Sequence, residues 1–144
     1  MFQLDQQFLK DTLIVGEFPL SSLLLMNDAH YPWFILVPRR EGVTEIFQLN
    51  TADRVALMEE SCWLSELLMR QYAADKMNVA ALGNVVRQLH LHHVVRFQGD
   101  AAWPGPVWGR VPVQPCTDEE LAQRLAVVRT ALLARGDFSF AEVQ

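Results

Sequence analysis

The feature that most constrains the fold is a run of five consecutive apolar residues, Trp33 to Val37, which Pro38 follows directly. A continuously apolar run of this length is typical of a strand covered on both faces, because a half-buried strand alternates apolar and polar residues. Proline has no N–H with which to continue a ladder, so we expect the strand to end there. The run therefore predicts a central strand with a layer of structure on each side.

Shorter strand-like runs and three helical patterns surround this strand. We predict a short helix over residues 2–10, helices over 51–74 and 117–135, and further strands over Thr12–Phe18, Ser21–Met26, Met77–Leu82 and Gln88–Phe97. Clustered strands and segregated helices indicate an antiparallel α+β fold with a sheet of about five strands. No linker or repeat interrupts the chain, so we expect a single domain over residues 1–144, with a core over about 12–110.

The two longer predicted helices, over 51–74 and 117–135, carry sequence signals for where they begin and for which face is buried. Thr51 is a candidate N-cap of the long helix, and Thr117 and Glu120 have the spacing of a capping box at the start of the C-terminal one. The core-facing stripe predicted for the long helix consists of three leucines flanked by a methionine and a cysteine: Leu57, Leu64, Leu68, Met58 and Cys62. We therefore expect Cys62 to be a buried free thiol.

Charge and hydropathy exclude several functional classes. The chain of 144 residues has a formal net charge of −5, which argues against nucleic-acid binding because such binding needs a basic surface. A small phosphorylated ligand remains compatible with this charge. No apolar run approaches the roughly 20 residues that span a bilayer, and residues 1–10 lack a signal-peptide pattern. We expect a cytoplasmic protein that does not bind membranes.

Three of the four histidines lie in one short segment, Gln88-Leu-His90-Leu-His92-His93. On a strand, alternate side chains share a face, which would place Gln88, His90 and His92 together. Imidazole is a competent nucleophile and acid–base group near neutral pH. Two alternatives stay open from the residues alone. The histidines could be solvated on an edge strand, or they could bind a metal ion with Asp28 or Asp100 as a further ligand.

The surrounding motifs resemble the histidine triad (HIT) family, whose signature is His-φ-His-φ-His-φ-φ, where φ is apolar. Residues 88–94 match this signature with glutamine in the first place. Gly83-Asn84 stands where the family has a Gly-Gln phosphate loop, and the apolar strand ending in Pro38-Arg39 also has a counterpart there. Trp103-Pro104-Gly105 resembles a Trp-Pro segment of some members. The resemblance covers roughly residues 20–110.

This resemblance implies a mechanism for the chain. His90 would attack the α-phosphorus of a nucleotide and form a nucleotidyl-histidine, which water then hydrolyses. His92 would bond phosphate oxygens and help to protonate the leaving group. Gly83 and Asn84 would hold phosphate, and Asn27 or Asp28 would contact the ribose. The implied substrates are dinucleoside polyphosphates, such as diadenosine polyphosphates, or nucleoside phosphoramidates. No metal or other cofactor is implied.

The sequence also departs from the family pattern. Gln88 replaces the first triad histidine, and an amide can orient a neighbour but cannot titrate. Trp33 stands where the family has a supporting histidine, so the network that orients the imidazoles must differ. These departures make a nucleotide-binding sensor with little turnover the alternative function.

Two further features bear on the substrate and on assembly. Trp103 and Trp108 bracket a loop rich in proline and glycine, which is either a packed loop or a wall of the substrate site. Family members are commonly two-fold dimers, so we expect a homodimer. Trp63, Leu67 and Met69 are apolar residues outside the main stripe of the long helix and would suit such an interface.

Overall fold

Residues 1–142, which the computed structural model describes, form one antiparallel sheet with three α-helices and a short 3-10 helix. The strands are β1 (Thr12–Glu17), β2 (Ser21–Met26), β3 (Trp33–Pro38), β4 (Lys76–Ala80), β5 (Leu91–Arg96) and β6 (Ser139–Phe140). The helices are α1 (Gln6–Asp11), α2 (Thr51–Tyr72) and α3 (Asp118–Arg135), with the 3-10 helix at Ile46–Gln48. The strand order is β4-β5-β3-β2-β1-β6, and every pair is antiparallel. The predicted α+β class is confirmed.

Strand β3 lies inside the sheet and is buried along its whole length, as its apolar run predicts. Phe34 and Leu36 point to the face that α2 and α3 cover, where they join the larger apolar core. Trp33, Ile35 and Val37 point to the opposite face and belong to a second core. Because alternate side chains of one strand serve two cores, both faces of the sheet must be covered.

The layer on the second face is thin and irregular. It consists of α1, which contributes Phe8, and of the loop after β5, which contributes Ala102 and Val107. No long helix covers that face in the described part of the chain, because α2 and α3 pack against the other core. A cavity lies beneath it, and His90 and His92 of the histidine segment line part of its wall.

The histidine segment only partly belongs to a strand. Strand β5 begins at Leu91 and not at Gln88, because its last pair with β3 joins Leu91 to Leu36. The N–H of Leu89 instead donates to the carbonyl of Val43, at 3.0 Å. Residues 88–90 therefore lie outside the β-ladder, next to the cavity.

The helices begin at N-cap residues as predicted, but the residue that caps α2 differs from the predicted one. Asn50, and not Thr51, caps α2, because its side-chain oxygen accepts from the N–H of Asp53 at 2.8 Å. The Thr117–Glu120 capping box of α3 is confirmed. None of the helices in residues 1–142 is long and apolar enough to cross a membrane.

The apolar stripe predicted for α2 includes two residues that the structure leaves exposed. Leu57, Leu64 and Leu68 are buried as expected, but Met58 is 56% exposed and Cys62 is also exposed. The prediction of a buried Cys62 thiol is wrong because the buried face of the helix passes through Ser61 and Leu64 instead.

Two of the three residues proposed for a dimer interface, Trp63 and Leu67, pack within the chain, while Met69 is half-buried. Leu67 is 2% exposed, and the Trp63 ring packs edge-on against Phe18 at 5.8 Å. The helix residues therefore give no independent support for a homodimer, which stays a prediction from the family resemblance.

A sixth strand, β6, was not expected, because two residues carry no periodicity. It pairs with the end of β1 at Gly16 and Glu17. A side chain at Gly16 would collide with the carbonyl of Ser139 and the ring of Phe138. The glycine therefore permits the close approach that adds this edge strand.

The third histidine of the segment, His93, points away from the cavity and ties β5 to α2. It is fully buried, with Nδ1 3.1 Å from the Leu91 carbonyl and Nε2 2.7 Å from the Ser61 hydroxyl. A carbonyl only accepts, so Nδ1 carries the ring proton and the serine hydroxyl donates to Nε2. Burial lowers the pKa of His93 from 6.5 to about 4.

This burial predicts an acid-sensitive fold. An unfolded histidine takes up its proton near pH 6.5, whereas folded His93 does so near pH 4, so stability falls as the pH drops between these values. At pH 5 the loss from this one group is on the order of 2 kcal/mol relative to pH 7. The His93→Gln variant, which still accepts from Ser61, should lose correspondingly less stability. Urea unfolding of both proteins at the two pH values tests this, and equal losses would contradict it.

Candidate functional site

The site is a cavity of about 290 Å³ between the sheet and its thin second layer. His90 and His92 form part of its polar wall, together with Gln7 and Asp11 of α1 and Thr12 at the start of β1. The segment over residues 82–86 forms its rim. Aromatic and aliphatic side chains from other parts of the chain form its apolar wall: Phe8, Met26, Trp33, Ile35 and Trp108. A mainly apolar cavity with a few converging polar groups is the usual form of a small-molecule site.

The surroundings of His90 determine which of its nitrogens is free. Its Nδ1 lies 2.7 Å from the backbone carbonyl of Gln88. Since a carbonyl can only accept, Nδ1 carries the proton and Nε2 keeps its lone pair. Burial lowers the pKa of His90 below 6.5, although the hydrogen bond to Gln88 and the charge of Asp5 act in the opposite direction. At neutral pH, Nε2 is therefore an unprotonated nucleophile.

His92 has the opposite proton arrangement. The indole N–H of Trp33 donates to its Nδ1 at 3.0 Å. An indole nitrogen only donates, so Nδ1 of His92 is the acceptor and Nε2 carries the ring proton. Burial, together with the neighbouring His90 and His93, lowers the pKa of His92 to about 3. His92 is thus a neutral hydrogen-bond donor through Nε2 at neutral pH.

The two rings form a complementary pair. Their centroids are 4.7 Å apart and their planes are nearly perpendicular, at 75°. His90 also contacts the edge of Phe8, at 4.9 Å between centroids, and His92 contacts Trp108, at 5.2 Å. Packing and hydrogen bonds hold one imidazole as an acceptor and its neighbour as a donor, which suits attack on a phosphorus atom and binding of its oxygens.

Trp33 performs the orienting task that the sequence left open. It is 5% exposed, and its ring also packs against Trp108 at 5.8 Å. As expected, the network that orients the imidazoles differs from one based on a histidine. Here the single indole N–H of Trp33 binds His92, the residue at the third triad position.

The Gln88 side chain binds the N-terminal segment and not an imidazole. Its side-chain oxygen accepts from the N–H of Asp5 at 2.9 Å, and its amide nitrogen donates to the carbonyl of Gln3 at 2.8 Å. These bonds hold the N-terminal segment that leads into α1, and therefore support Phe8 against His90. The backbone carbonyl of Gln88, and not its amide, orients the imidazole of His90.

The structure brings only some of the expected substrate contacts to the cavity. Gly83 and Asn84 lie on its rim, and Gly83 adopts a positive φ of 73°. Within residues 1–142 the cavity wall includes neither Asn27 nor Asp28. The Asn27 side-chain oxygen accepts from the N–H of Cys116, and the Asp28 carboxylate pairs with His30 at 2.8 Å.

The tryptophans of the long loop have separate roles. Trp108 lines the cavity, whereas the Trp103 ring lies outside the wall of the cavity and over the guanidinium of Arg96, at 5.5 Å. Arg96 is 1% exposed and pairs with Asp100, whose carboxylate also accepts from three backbone N–H groups of the loop. This buried ion pair shapes the loop that carries Trp108.

The metal alternative is not supported by the geometry. Residues 1–142 contain no group of three or more histidine, cysteine, aspartate or glutamate side chains arranged to hold a metal ion. The two carboxylates suggested as further ligands, Asp28 and Asp100, are bound to His30 and Arg96.

Sequence reasoning missed the apolar walls of the site. Phe8 and Met26 line the cavity although they are far from the histidine segment in sequence. A buried phenylalanine on a six-residue helix offers no local signal of function. Only the packing of α1 across the sheet shows it.

Comparisons with known proteins agree with this arrangement. A family model described as HIT domain matches residues 7–99. A histidine triad protein from Marinobacter aquaeolei VT8 is 51% identical and has a TM-score of 0.90, with 93% of this chain and 98% of that chain covered. Comparison with curated proteins gives no significant match.

Two more solved structures give the same result. A histidine triad protein from Sinorhizobium meliloti 1021 is 39% identical, and one from Bradyrhizobium japonicum is 40% identical. Each has a TM-score of 0.88 and covers 90% of this chain and 96% of its own. Since the family model spans more than half of the residues and these relatives align over nearly the whole chain, the protein belongs to the histidine triad (HIT) family.

Proposed function

We propose that this chain is a metal-independent nucleotide hydrolase or nucleotidyl transferase that works through a nucleotidyl-histidine on His90. The observation that carries the proposal is the pair of partners at the two Nδ1 atoms, the Gln88 carbonyl on His90 and the Trp33 indole N–H on His92. From these partners we infer a free lone pair at Nε2 of His90 and an N–H at Nε2 of His92. The substrates we propose are nucleotides whose α-phosphorus carries a phosphoanhydride or phosphoramidate leaving group.

In the first step, Nε2 of His90 forms a bond to the α-phosphorus and the bond from phosphorus to the leaving group breaks. The leaving group keeps the electron pair. The His90 ring becomes cationic, and its Nδ1–H to the Gln88 carbonyl, at 2.7 Å, stabilises that charge. The Nε2–H of His92 donates to a phosphate oxygen or to the departing atom.

In the second step, water attacks the same phosphorus, the bond from phosphorus to His90 breaks, and one proton of the water is released. The products are a nucleoside monophosphate and the free enzyme. An amine leaving group takes up a proton from solvent water as it departs, while a phosphate leaving group departs as an anion. Backbone N–H groups near Gly83 and Asn84 are the donors we propose for the phosphate oxygens.

A homodimer and a cytoplasmic location remain predictions. The first rests on the family resemblance, and the second is consistent with the free thiols of Cys62 and Cys116. The nucleotide-sensor alternative is distinguished from the hydrolase by the first experiment below.

Replacement of the nucleophile should abolish turnover. With diadenosine tetraphosphate in excess chelator, we expect the wild type to release AMP and His90→Ala to lose about 10³-fold or more in kcat. Chromatography of the products measures both, and calorimetry with AMP shows whether the variant still folds and binds. Wild-type binding without turnover would favour the sensor, and full activity of His90→Ala would rule out the mechanism.

Removal of the indole donor should slow the reaction without unfolding the protein. Trp33→Phe keeps an aromatic ring but leaves Nδ1 of His92 without its donor, so we expect kcat/KM to fall about three- to tenfold, as for one lost hydrogen bond. Trp63→Phe makes the same chemical change on the other face of the sheet and is the control. Equal activity of the two variants would show that the Trp33 N–H does not orient the site.

A further inference from the structure

The wall of the histidine cavity contains a carboxylate that the proposed chemistry does not use. Among residues 1–142, Asp11 is the only acidic residue in this wall, and no lysine or arginine accompanies it. Its side chain is half-buried and forms no salt bridge within the described chain. A negative charge here repels the phosphates of a substrate, and the C-terminal end of a helix, where Asp11 lies, also disfavours an anion. Neither phosphate binding nor helix stability therefore accounts for this carboxylate.

A neighbouring amide holds the Asp11 carboxylate in place. The side-chain nitrogen of Gln7, one helical turn earlier on α1, donates to Oδ2 of Asp11 at 2.9 Å. The other oxygen, Oδ1, has no donor within residues 1–142. The Thr12 hydroxyl next to it donates to the Phe8 carbonyl, at 2.6 Å, and is not a partner. A carboxylate accepts at about four lone-pair sites, so an oriented acceptor remains free at the cavity wall.

The position of Asp11 matches the nucleoside part of a bound nucleotide and not its phosphates. The Phe8 ring contacts the His90 ring at 4.9 Å between centroids, and Asp11 follows three residues later, roughly one helical turn farther along α1. Thr12 is paired with Met26 across β1 and β2, so Met26 lies beside this end of the cavity. The neighbours of Asp11 in the cavity, Phe8 and Met26, are apolar, which suits the faces of a base better than the hydroxyls of a ribose.

Resting on the proposed function, we propose that Asp11 selects guanine as the base of the nucleotide that is bound next to His90. A carboxylate only accepts hydrogen bonds, so it pairs best with two adjacent donors. On its Watson–Crick edge guanine offers two, N1–H and the exocyclic N2–H. Adenine and cytosine offer one donor beside an acceptor, and uracil offers one donor between two acceptors. Asp11 therefore binds guanine through both oxygens and leaves an acceptor facing an acceptor with each of the other bases.

Calorimetric titration with nucleoside monophosphates tests this inference without any need for turnover. We expect the wild type to bind guanosine monophosphate (GMP) about tenfold more tightly than AMP, as for one bidentate contact to a base. The 2′-deoxy form of GMP should bind as tightly as GMP, since the carboxylate contacts the base and not the ribose.

Asp11→Asn should change the preferred base. The Gln7 N–H keeps the new side-chain oxygen toward itself, so the new NH₂ group faces the cavity and donates. This variant should lose the preference for GMP over AMP. It should also bind xanthosine monophosphate, which has a carbonyl in place of the N2 amine, about tenfold more tightly than GMP. Glu59→Gln is the matched control, because it removes the same charge from an exposed position on α2 outside the cavity, and it should keep the wild-type preference.

Four results would overturn the inference. They are equal affinity of the wild type for GMP and AMP, a preference for GMP that survives in Asp11→Asn, weakening of all the nucleotides alike in that variant, and binding of 2′-deoxy-GMP as weak as that of AMP. The last result would assign the carboxylate to the ribose. These outcomes are separate from those of the proposed function. Selective binding of GMP without hydrolysis of any substrate would refute the hydrolase and keep the inference, whereas hydrolysis without a difference between the bases would do the reverse.

Discussion

The burial of β3 on both of its faces is the constraint on which the rest of the structure depends. A strand whose side chains alternate between two apolar cores forces the chain to cover both sides of the sheet. Two long helices cover one side, but only α1 and a loop cover the other. The cavity exists because this second cover is incomplete, and Trp33 reaches His92 because β3 and β5 are neighbours in the sheet, with Ile35 opposite His92.

The thin layer keeps its shape through two sets of polar interactions, one buried and one exposed. Arg96 and Asp100 form an ion pair that also binds Asn78 and the carbonyl of Gly105. A buried pair of this kind does not guarantee stability, but removal of one partner leaves an uncompensated charge. On the other side of the cavity, the Gln88 amide holds the N-terminal segment. The site is thus enclosed by two segments that are far apart in sequence, and each is fastened by a specific set of hydrogen bonds.

Much of the fold could be predicted from local patterns, but less of the site could. The bounds of β2 follow from the turn residues on either side of it, Pro19 and Asn27-Asp28, and the capping box of α3 follows from short-range hydrogen bonding. The start of β5 could not be predicted in this way, because it depends on whether the N–H of Leu89 donates to β3 or to the carbonyl of Val43. The histidine pair was predicted from its spacing. The contribution of Phe8 and the actual partner of the Gln88 side chain depend on tertiary packing, and no local pattern encodes them.

The central claim is that the two imidazoles are neutral and carry their protons on opposite nitrogens. Two-dimensional ¹H–¹⁵N correlation spectra of the histidine rings at pH 7 test it most directly, with resonances assigned through His90→Ala and Trp33→Phe. The account predicts that His90 is protonated at Nδ1 alone and His92 at Nε2 alone, and that the His92 tautomer changes or becomes mixed in Trp33→Phe. A His90 ring that is protonated at Nε2, or that is cationic at pH 7, would contradict the account, since such a ring cannot attack a phosphorus atom.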